Sequence, residues 1–200
     1  MNASFNRRTF LQVSGGTAAA MSLGFVWPTH AQNTQPTEVN AWIDIHADDT
    51  VVIRYARTEM GQGSRTSAPM LIAEELEVDW KKVRVVDVPA HDNLRRKRVY
   101  GDMASVGSRT IRMSQEYLRK AGAAARMLLI EAAAKRWGVP ASECKASLGQ
   151  VVHVGSKRQL RYGQLAAEAA TLTPPKDIPL KDPSTWTLVG TPQRLAAASI

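Results

Sequence analysis

Cysteine is almost absent from this sequence, since Cys144 is the only one among 200 residues. A single cysteine excludes an internal disulfide, and it excludes a zinc or iron–sulfur site whose four cysteine ligands all come from this chain. No apolar run reaches the roughly 18 residues that suggest a membrane-spanning helix. The four histidines are scattered and lack the spacing of metal ligands, so no metal-ligating side chain is predicted.

The composition is that of a folded protein with a basic surface. Hydrophobic residues make up 44% of the chain and charged residues 22%, which does not indicate disorder. The net charge of +8 permits an anionic partner without identifying one. The basic run Arg95–Arg98 has only Tyr100 as a nearby aromatic residue, so a nucleic-acid partner is not predicted. A solvated face, or contact with a ligand or partner, is favoured instead.

The N-terminus has the pattern of an export signal. Arg7 and Arg8 precede a mildly apolar stretch that ends in small residues suited to cleavage after Ala31. The arginine pair followed by Thr-Phe-Leu indicates the twin-arginine route, which exports proteins already folded. An ordinary secretory signal and an N-terminal helix of the mature fold are the alternatives. We therefore expect a periplasmic protein with a twin-arginine signal peptide at residues 1–31 and a flexible leader at residues 32–39.

Hydrophobic periodicity predicts an α+β fold of short strands and hairpins with two main helices. A strand–turn–strand hairpin is predicted around Asp48-Asp49, and the main helices are predicted over Ser67–Val78 and Ile111–Trp137. Small residues from Ala121 to Ala125 indicate that the second helix packs very close to a neighbour. Further short elements are predicted as strands at Val83–Val88 and within Glu143–Val154 and as a helix at Tyr162–Ala170.

Acidic residues crowd the end of the first main helix. Glu74, Glu75, Glu77 and Asp79 oppose the helix dipole there, so a solvated face or a partner surface is predicted. Farther along the chain, prolines are concentrated between residues 174 and 192. That concentration predicts a linker or a surface wrap.

Gly61, Gln62 and Gly63 form a loop motif just before the first main helix. The two glycines let the backbone approach a ligand closely, and the glutamine can both donate and accept hydrogen bonds. Free N–H groups at the start of the helix could face an anion. A dinucleotide fingerprint is not predicted, because Thr66 replaces its third glycine and no βαβ unit is expected. A plain glycine-containing turn is the alternative.

A second loop, Ser105–Thr110, combines hydroxyl side chains, a glycine and an arginine just before the long helix. These groups suit a phosphate or diphosphate. The alternative is a simple helix cap formed by Ser108 or Thr110. Two such loops in one chain favour an anionic ligand.

The segment Glu59–Leu76 resembles the Gly-Gln-Gly segment of molybdopterin-binding large subunits in the xanthine dehydrogenase/aldehyde oxidase family. The order of motifs and the exported N-terminus resemble the branch named for the isoquinoline 1-oxidoreductase beta subunit. The similarity covers roughly residues 40–194. It continues through Asp79–Val85, Ser105–Arg112, Leu118–Arg126 and Arg136–Pro140.

This resemblance implies an oxidoreductase of the molybdenum hydroxylase class. Such enzymes take an oxygen atom from water, place it on a carbon of an aldehyde or N-heterocycle, and release two electrons. The implied cofactor of the complete protein is molybdopterin cytosine dinucleotide, with molybdenum held by the dithiolene. The implied partner is a small subunit that carries [2Fe–2S] clusters, and a cytochrome c is a candidate electron acceptor.

The same resemblance implies two sets of cofactor-binding residues. The first set would lie against the pterin–dithiolene part, and the second would contact the phosphate end. In this sequence Arg109 and Thr110 replace the commoner serines of the family. The implied residues are Gly61, Gln62 and Gly63 in the first set and Gly107, Ser108, Arg109 and Thr110 in the second.

The chain departs from the family in being much shorter. The family segments that it lacks include the glutamate that acts as general base, so no catalytic residue is assigned. Glu59, Glu74 and Glu75 are not given that role. We expect a partial molybdopterin-binding domain at residues 40–172 and a truncated Pro-rich linker at residues 173–200, inactive alone. The alternative is a non-enzymatic exported module that binds an anionic ligand or a partner through the same loops.

Overall fold

The structure is a computed structural model that describes residues 36–196. The predicted signal peptide at residues 1–31 lies outside the described residues. Two open sheets and two main helices confirm the predicted α+β class with short strands. Within residues 36–196, no helix is both long and apolar enough to cross a membrane.

The first sheet contains four strands in the order β1-β2-β3-β4. The predicted hairpin is confirmed, because the second and third strands pair antiparallel with Ile43 opposite Ile53 and Ile45 opposite Val51. The third strand buries alternate residues, as β-branched and aromatic side chains on a half-buried strand do. The strands are β1 (Thr37–Asn40), β2 (Ile43–Ile45), β3 (Val51–Tyr55) and β4 (Val83–Asp87).

Strand β1 changes the boundary of the predicted leader. Its residues pair with β2, so the flexible leader predicted at residues 32–39 was wrong at 37–39. Val39 is buried in the core. The Glu38 carboxylate is bonded to Arg54 and Arg96, which lie far from it in sequence. The polar composition of residues 37–39 predicted a leader, because the local sequence does not show that these residues pair with β2.

Besides the first sheet, residues 36–196 contain five α-helices and a second sheet, which is antiparallel. The long helix predicted from Ile111 is interrupted at Met113 and Ser114, and the uninterrupted helix begins at Gln115. The helices are α1 (Ser64–Leu76), α2 (Ala90–Arg95), α3 (Arg109–Arg112), α4 (Gln115–Trp137) and α5 (Tyr162–Ala169), and the second sheet consists of β5 (Cys144–Ser147), β6 (Gln150–His153) and β7 (Gln159–Arg161).

Helix α1 connects two parallel neighbours in the first sheet. Strands β3 and β4 run parallel, with Val51 opposite Val83 and Tyr55 opposite Asp87. The segment is therefore a βαβ unit, which the sequence analysis did not expect, because the pairing partner of β4 cannot be read from its own residues. Residues 56–63, here called the glycine loop, join the carboxyl end of β3 to the N-terminus of α1. Loops at this place in α/β units commonly bind ligands.

Helices α1 and α4 pack at very short range. A Cβ atom added to Gly122 would lie 2.3 Å from the carbonyl oxygen of Ile72 and 3.0 Å from Cβ of Glu75. Such a contact with backbone cannot be relieved by a side-chain movement. The close packing predicted from the small residues of α4 is therefore confirmed.

The acidic end of α1 is buried, contrary to prediction. Glu74 is 3% exposed and Glu75 is 0% exposed, so the solvated face or partner surface was wrong for both. Glu75 is paired with Arg119 at 2.8 Å and also accepts the backbone N–H of Lys181. A buried carboxylate is stable only when it is paired and hydrogen-bonded, and its partners here come from more than 40 residues away.

Residues 181–196, here called the C-terminal strap, supply most of the hydrogen-bond partners of Glu74 and Glu75 taken together. One carboxylate oxygen of Glu74 accepts the N–H groups of Thr187, Leu188 and Val189 at 2.7–3.1 Å. The strap then reaches the first turn of α1, where the N–H of Ala196 donates to the Thr66 hydroxyl at 2.8 Å. Of the two predicted alternatives, linker or surface wrap, these residues form the wrap.

The Glu74 anchor makes the stability of the strap depend on pH. Burial raises the pKa of Glu74, but the Lys181 ammonium and the N–H groups of Leu188 and Val189 outweigh burial and hold that pKa below its ordinary value. Because the folded-state pKa is lowered, the anchor stabilises the fold at neutral pH and its contribution is lost as the pH falls through that pKa.

We expect Glu74→Gln to lower the free energy of unfolding at pH 7 by roughly 1.5–3 kcal/mol, because it weakens hydrogen bonds to a charged acceptor. The difference from wild type should shrink at a second, acidic pH below the lowered pKa of Glu74, where the carboxyl itself is protonated. Urea unfolding at the two pH values measures both effects. Glu116→Gln, at an exposed position of α4, is the control. An equal loss in both variants, or a loss independent of pH, would contradict the role of Glu74.

Candidate functional site

The glycine loop presents its central residues to solvent. Gly61 and Gln62 are exposed, and Gly63 is partly buried at the start of α1. Gly61 has a φ of 93° and Gly63 a φ of 77°, which glycine adopts without strain. A Cβ atom added to Gly61 would meet nothing within 4 Å, so the space beside this residue is open.

The side chain of Gln62 is held within its own loop. Its oxygen accepts the N–H of Met60 at 2.6 Å, and its Nε2 donates to the Thr58 carbonyl at 2.9 Å and to the Ser64 hydroxyl at 2.6 Å. The Ser64 hydroxyl is in turn 2.6 Å from the hydroxyl of Tyr55, at the end of β3. The glutamine is therefore exposed and at the same time fixed in direction.

Glu59 occupies the inner side of the glycine loop. Its carboxylate accepts the N–H groups of Gly61 and Gly63 at 2.8 and 3.0 Å, and that of Arg65 at 2.8 Å. These bonds, the one from Arg65 foremost, lower the pKa of Glu59. The anion that the sequence analysis expected at these N–H groups is thus a side chain of the loop itself.

The second predicted loop belongs to a longer segment, residues 102–110, here called the hydroxyl loop. Gly107 and Ser108 are exposed, with φ values of 60° and 58°. The guanidinium of Arg109 donates to Asp102 at 3.0 Å. Ser108 stands at the N-cap of α3 but makes no side-chain capping bond, which disfavours the simple cap.

Thr110, the last of the predicted site residues, is buried. It is 5% exposed, and within the described range its hydroxyl oxygen has no hydrogen-bond partner. A buried, unbonded hydroxyl costs free energy and is uncommon in folded proteins. Thr110 therefore lies beneath the exposed part of the hydroxyl loop rather than on its surface.

Arg57 joins the two loops. Its guanidinium donates to Asp102 at 2.7 Å and to the Ala104 carbonyl at 2.6 Å, and also to Ser114 and Tyr117 at 3.1 and 3.0 Å. Burial lowers the pKa of Arg57, but its bonds to Tyr117 and Asp102 more than offset burial, so the pKa is raised and the group stays charged.

A backbone contact reinforces this junction. The N–H of Thr58 donates to the Ser105 hydroxyl at 2.8 Å. Beneath the contact, a cavity of about 10 Å³ is lined by residues of both loops, among them Arg57 and Thr110. That volume is about the space needed for one water molecule. The structure thus brings the flanks of the two predicted loops together, with Gln62 and Ser108 exposed on their respective loops.

The sequence analysis did not find Arg57 or Asp102 and did not assign Glu59 a role. All three are charged residues that flank the two loop motifs, and this was the available signal. Their partners could not be assigned, because the bond between Arg57 and Asp102 spans 45 residues.

We expect Arg57→Ala to loosen the junction, since it removes a charged donor from four acceptors. The free energy of unfolding should fall by roughly 2 kcal/mol or more. Spin labels attached at Met60→Cys and Ser108→Cys, both exposed positions, report the separation of the loops by pulsed electron resonance. The distance distribution should broaden in Arg57→Ala and stay narrow in Arg84→Ala, a control on the exposed side of β4. Equal distributions in both variants would show that Arg57 does not hold the loops.

Comparisons with known proteins show similarities of sequence over most of this chain. The family model for the molybdopterin cofactor-binding domain matches residues 2–197. Isoquinoline 1-oxidoreductase subunit beta of Brevundimonas diminuta is 36% identical over 169 residues, which are 81% of this chain and 22% of that relative. A membrane-bound aldehyde dehydrogenase (pyrroloquinoline-quinone) of Gluconacetobacter polyoxogenes is 31% identical over 203 residues, 94% of this chain and 25% of the relative.

A solved structure shares the fold. Reconstituted CO dehydrogenase from Oligotropha carboxidovorans superposes with a TM-score of 0.52 at 20% identity, over 66% of this chain and 16% of that one. The chain spans only about a fifth to a quarter of the length of the curated relatives above. Because the family model covers almost the whole sequence, the chain belongs to the family of molybdopterin cofactor-binding domains.

Proposed function

We propose that this chain is the N-terminal part of the large subunit of a molybdenum hydroxylase, and that its two loops together bind one molybdopterin cofactor. Family membership supports the class of cofactor. The junction of Arg57 with Asp102 and Ala104 carries the proposal, because it brings the two loops together through residues more than 40 positions apart in sequence. Neither loop alone offers more than a short polar turn.

The residues of both loops fit such a group. A Cβ atom added to Gly61 or to Gly107 would meet nothing within 4 Å, so the backbone of each loop is open to a close approach. Arg109, which is paired with Asp102, follows the exposed Ser108 directly in sequence, and a guanidinium and a hydroxyl suit a phosphate. Thr110, whose buried hydroxyl is unbonded within the described residues, lines the same small cavity as Arg57.

Each loop has a distinct task in this proposal. Gly61, Gln62 and Gly63 would lie along the pterin–dithiolene part. Both N–H groups of the Gln62 amide are bonded within the loop, so its oxygen, which accepts one bond from Met60, would accept the bond from the cofactor. Gly107, Ser108 and Arg109 would hold the phosphate end, and the buried Thr110 would support the loop from beneath. When bound, the cofactor supplies the molybdenum at which an oxygen atom from water is transferred to carbon.

The remaining parts of the proposal concern the complete enzyme. We propose the cytosine dinucleotide form of the cofactor, a small [2Fe–2S] partner subunit, and a cytochrome c as the electron acceptor. Aldehydes or N-heterocycles are the proposed substrates. The arginine pair Arg7-Arg8 supports export of the folded protein to the periplasm. The general base would lie in a part of the polypeptide beyond this sequence, so we propose that this chain alone is inactive.

Exposed apolar side chains favour this proposal over a self-contained exported binding module. Met60, Val106 and Leu195 are 68%, 67% and 74% exposed. They lie in or beside the two loops, and Leu195 is within 3.7 Å of a Cβ built on Gly63. A contiguous exposed apolar patch marks an interaction site, and we propose that the cofactor or another part of the complete protein covers these side chains.

Gln62→Ala in the complete polypeptide encoded by the gene tests the assignment of the glycine loop. We expect cofactor affinity to fall roughly 5- to 150-fold, because hydrogen bonding worth about 1–3 kcal/mol is lost. Molybdenum and oxidised pterin measured per polypeptide report occupancy. Gln159→Ala, at an exposed position of β7, is the matched control.

The outcomes separate the two parts of the proposal. A wild-type complete protein that contains neither molybdenum nor pterin would defeat the proposed function. A loaded wild type with unchanged occupancy in Gln62→Ala would retain the cofactor class but remove the glycine loop from the site.

A further inference from the structure

Glu59 binds alternate N–H groups of the residues that follow it. One carboxylate oxygen accepts the N–H groups of Gly61 and Gly63, and the other accepts that of Arg65 in the first turn of α1. The first N–H groups of a helix have no partner within it. Gly63, the N-cap residue, has no side chain that could supply one. Glu59 therefore caps α1 from a position four residues before the N-cap.

This capping determines the shape of the glycine loop. The loop must fold back over a single carboxylate, which requires the left-handed φ values of Gly61 and Gly63. Gln62, between these two glycines, remains exposed. The carboxylate thus bonds the backbone N–H groups on one side of the loop, and Gln62 lies at the solvent surface.

The amide of Gln62 is fixed against the same framework. It is bonded to Thr58 and Met60, which precede the stretch bonded by Glu59, and to Ser64, which lies within that stretch. Ser64 is anchored through its hydroxyl to Tyr55 in the core. Within residues 36–196, the Glu59 carboxylate is the group that bonds the N–H of Gly61 and the N–H of Gly63 together, so its loss would free the spacing that this network needs.

The charge of Glu59 is required for this arrangement. A carboxylate accepts at both oxygens, whereas an amide of the same shape accepts at one and donates at the other. In Glu59→Gln, one amide NH₂ would face backbone N–H groups or the Ser64 hydroxyl. The substitution therefore keeps the size of the side chain and removes half of its accepting capacity.

We propose that Glu59 is a positioning residue for the cofactor: it shapes the glycine loop so that Gln62 is presented to the ligand in a single orientation. The inference rests on the proposed function for the identity of the ligand. Glu59 itself does not touch the reacting atoms in this account.

The test compares Glu59→Gln with Glu131→Gln, a control at a partly exposed position of α4 that pairs with Lys135. Amide hydrogen exchange in peptides covering residues 60–66 is measured in the complete, cofactor-free protein. We expect exchange at least about tenfold faster in Glu59→Gln and unchanged in the control, because the hydrogen bonds to the carboxylate are lost. Cofactor occupancy, measured separately, should fall as far as in Gln62→Ala.

A second variant guards against a general loss of folding. Glu59→Asp retains the carboxylate on a shorter stem, so its exchange and occupancy should lie between those of wild type and Glu59→Gln. Exchange elsewhere in α1 should match wild type in both variants.

Three results would overturn the inference. Unchanged exchange in Glu59→Gln would mean that the carboxylate does not shape the loop. Faster exchange with undiminished occupancy would mean that the shape does not matter for the cofactor. A wild-type protein without cofactor would defeat the proposed function, and this inference with it. That result is distinguishable from a failure of Glu59 alone, in which wild type and variant are loaded equally.

Discussion

The guanidinium of Arg57 is the interaction on which the candidate site depends. It is nearly buried at the end of β3 and donates to four acceptors, three of them in or beside the hydroxyl loop. Because burial of an unpaired cation is costly, those acceptors must remain around it whenever the fold is intact. The glycine loop and the hydroxyl loop are thereby held at one place, which the bonds within each loop do not achieve by themselves.

Much of the fold follows from local sequence. The alternation of Val51, Ile53 and Tyr55 predicts a strand, and the small residues around Gly122 predict close helix packing, because both patterns depend on neighbours within a few positions. The partner of β4 did not follow, since strand pairing depends on residues about 30 positions away. The βαβ unit, which gives the glycine loop its position, was missed for that reason.

Charged residues show the same limit more strongly. Glu74 in an acidic cluster and Glu59 beside a glycine motif have the composition of solvated surface, yet each carboxylate is surrounded by backbone N–H groups. Such an environment exists only after the strap or the loop has folded around the charge, so no local pattern predicts it. The predicted loop motifs marked the candidate site, and the charged residues that organise it became apparent only in three dimensions.

The central claim is that both loops contact a single ligand, and hydrogen exchange of the complete protein with and without its molybdopterin cofactor tests it most directly. The account predicts that peptides covering residues 58–64 and peptides covering residues 105–110 both exchange more slowly when the cofactor is bound. Slower exchange in only one of the two segments, or in neither, would contradict it.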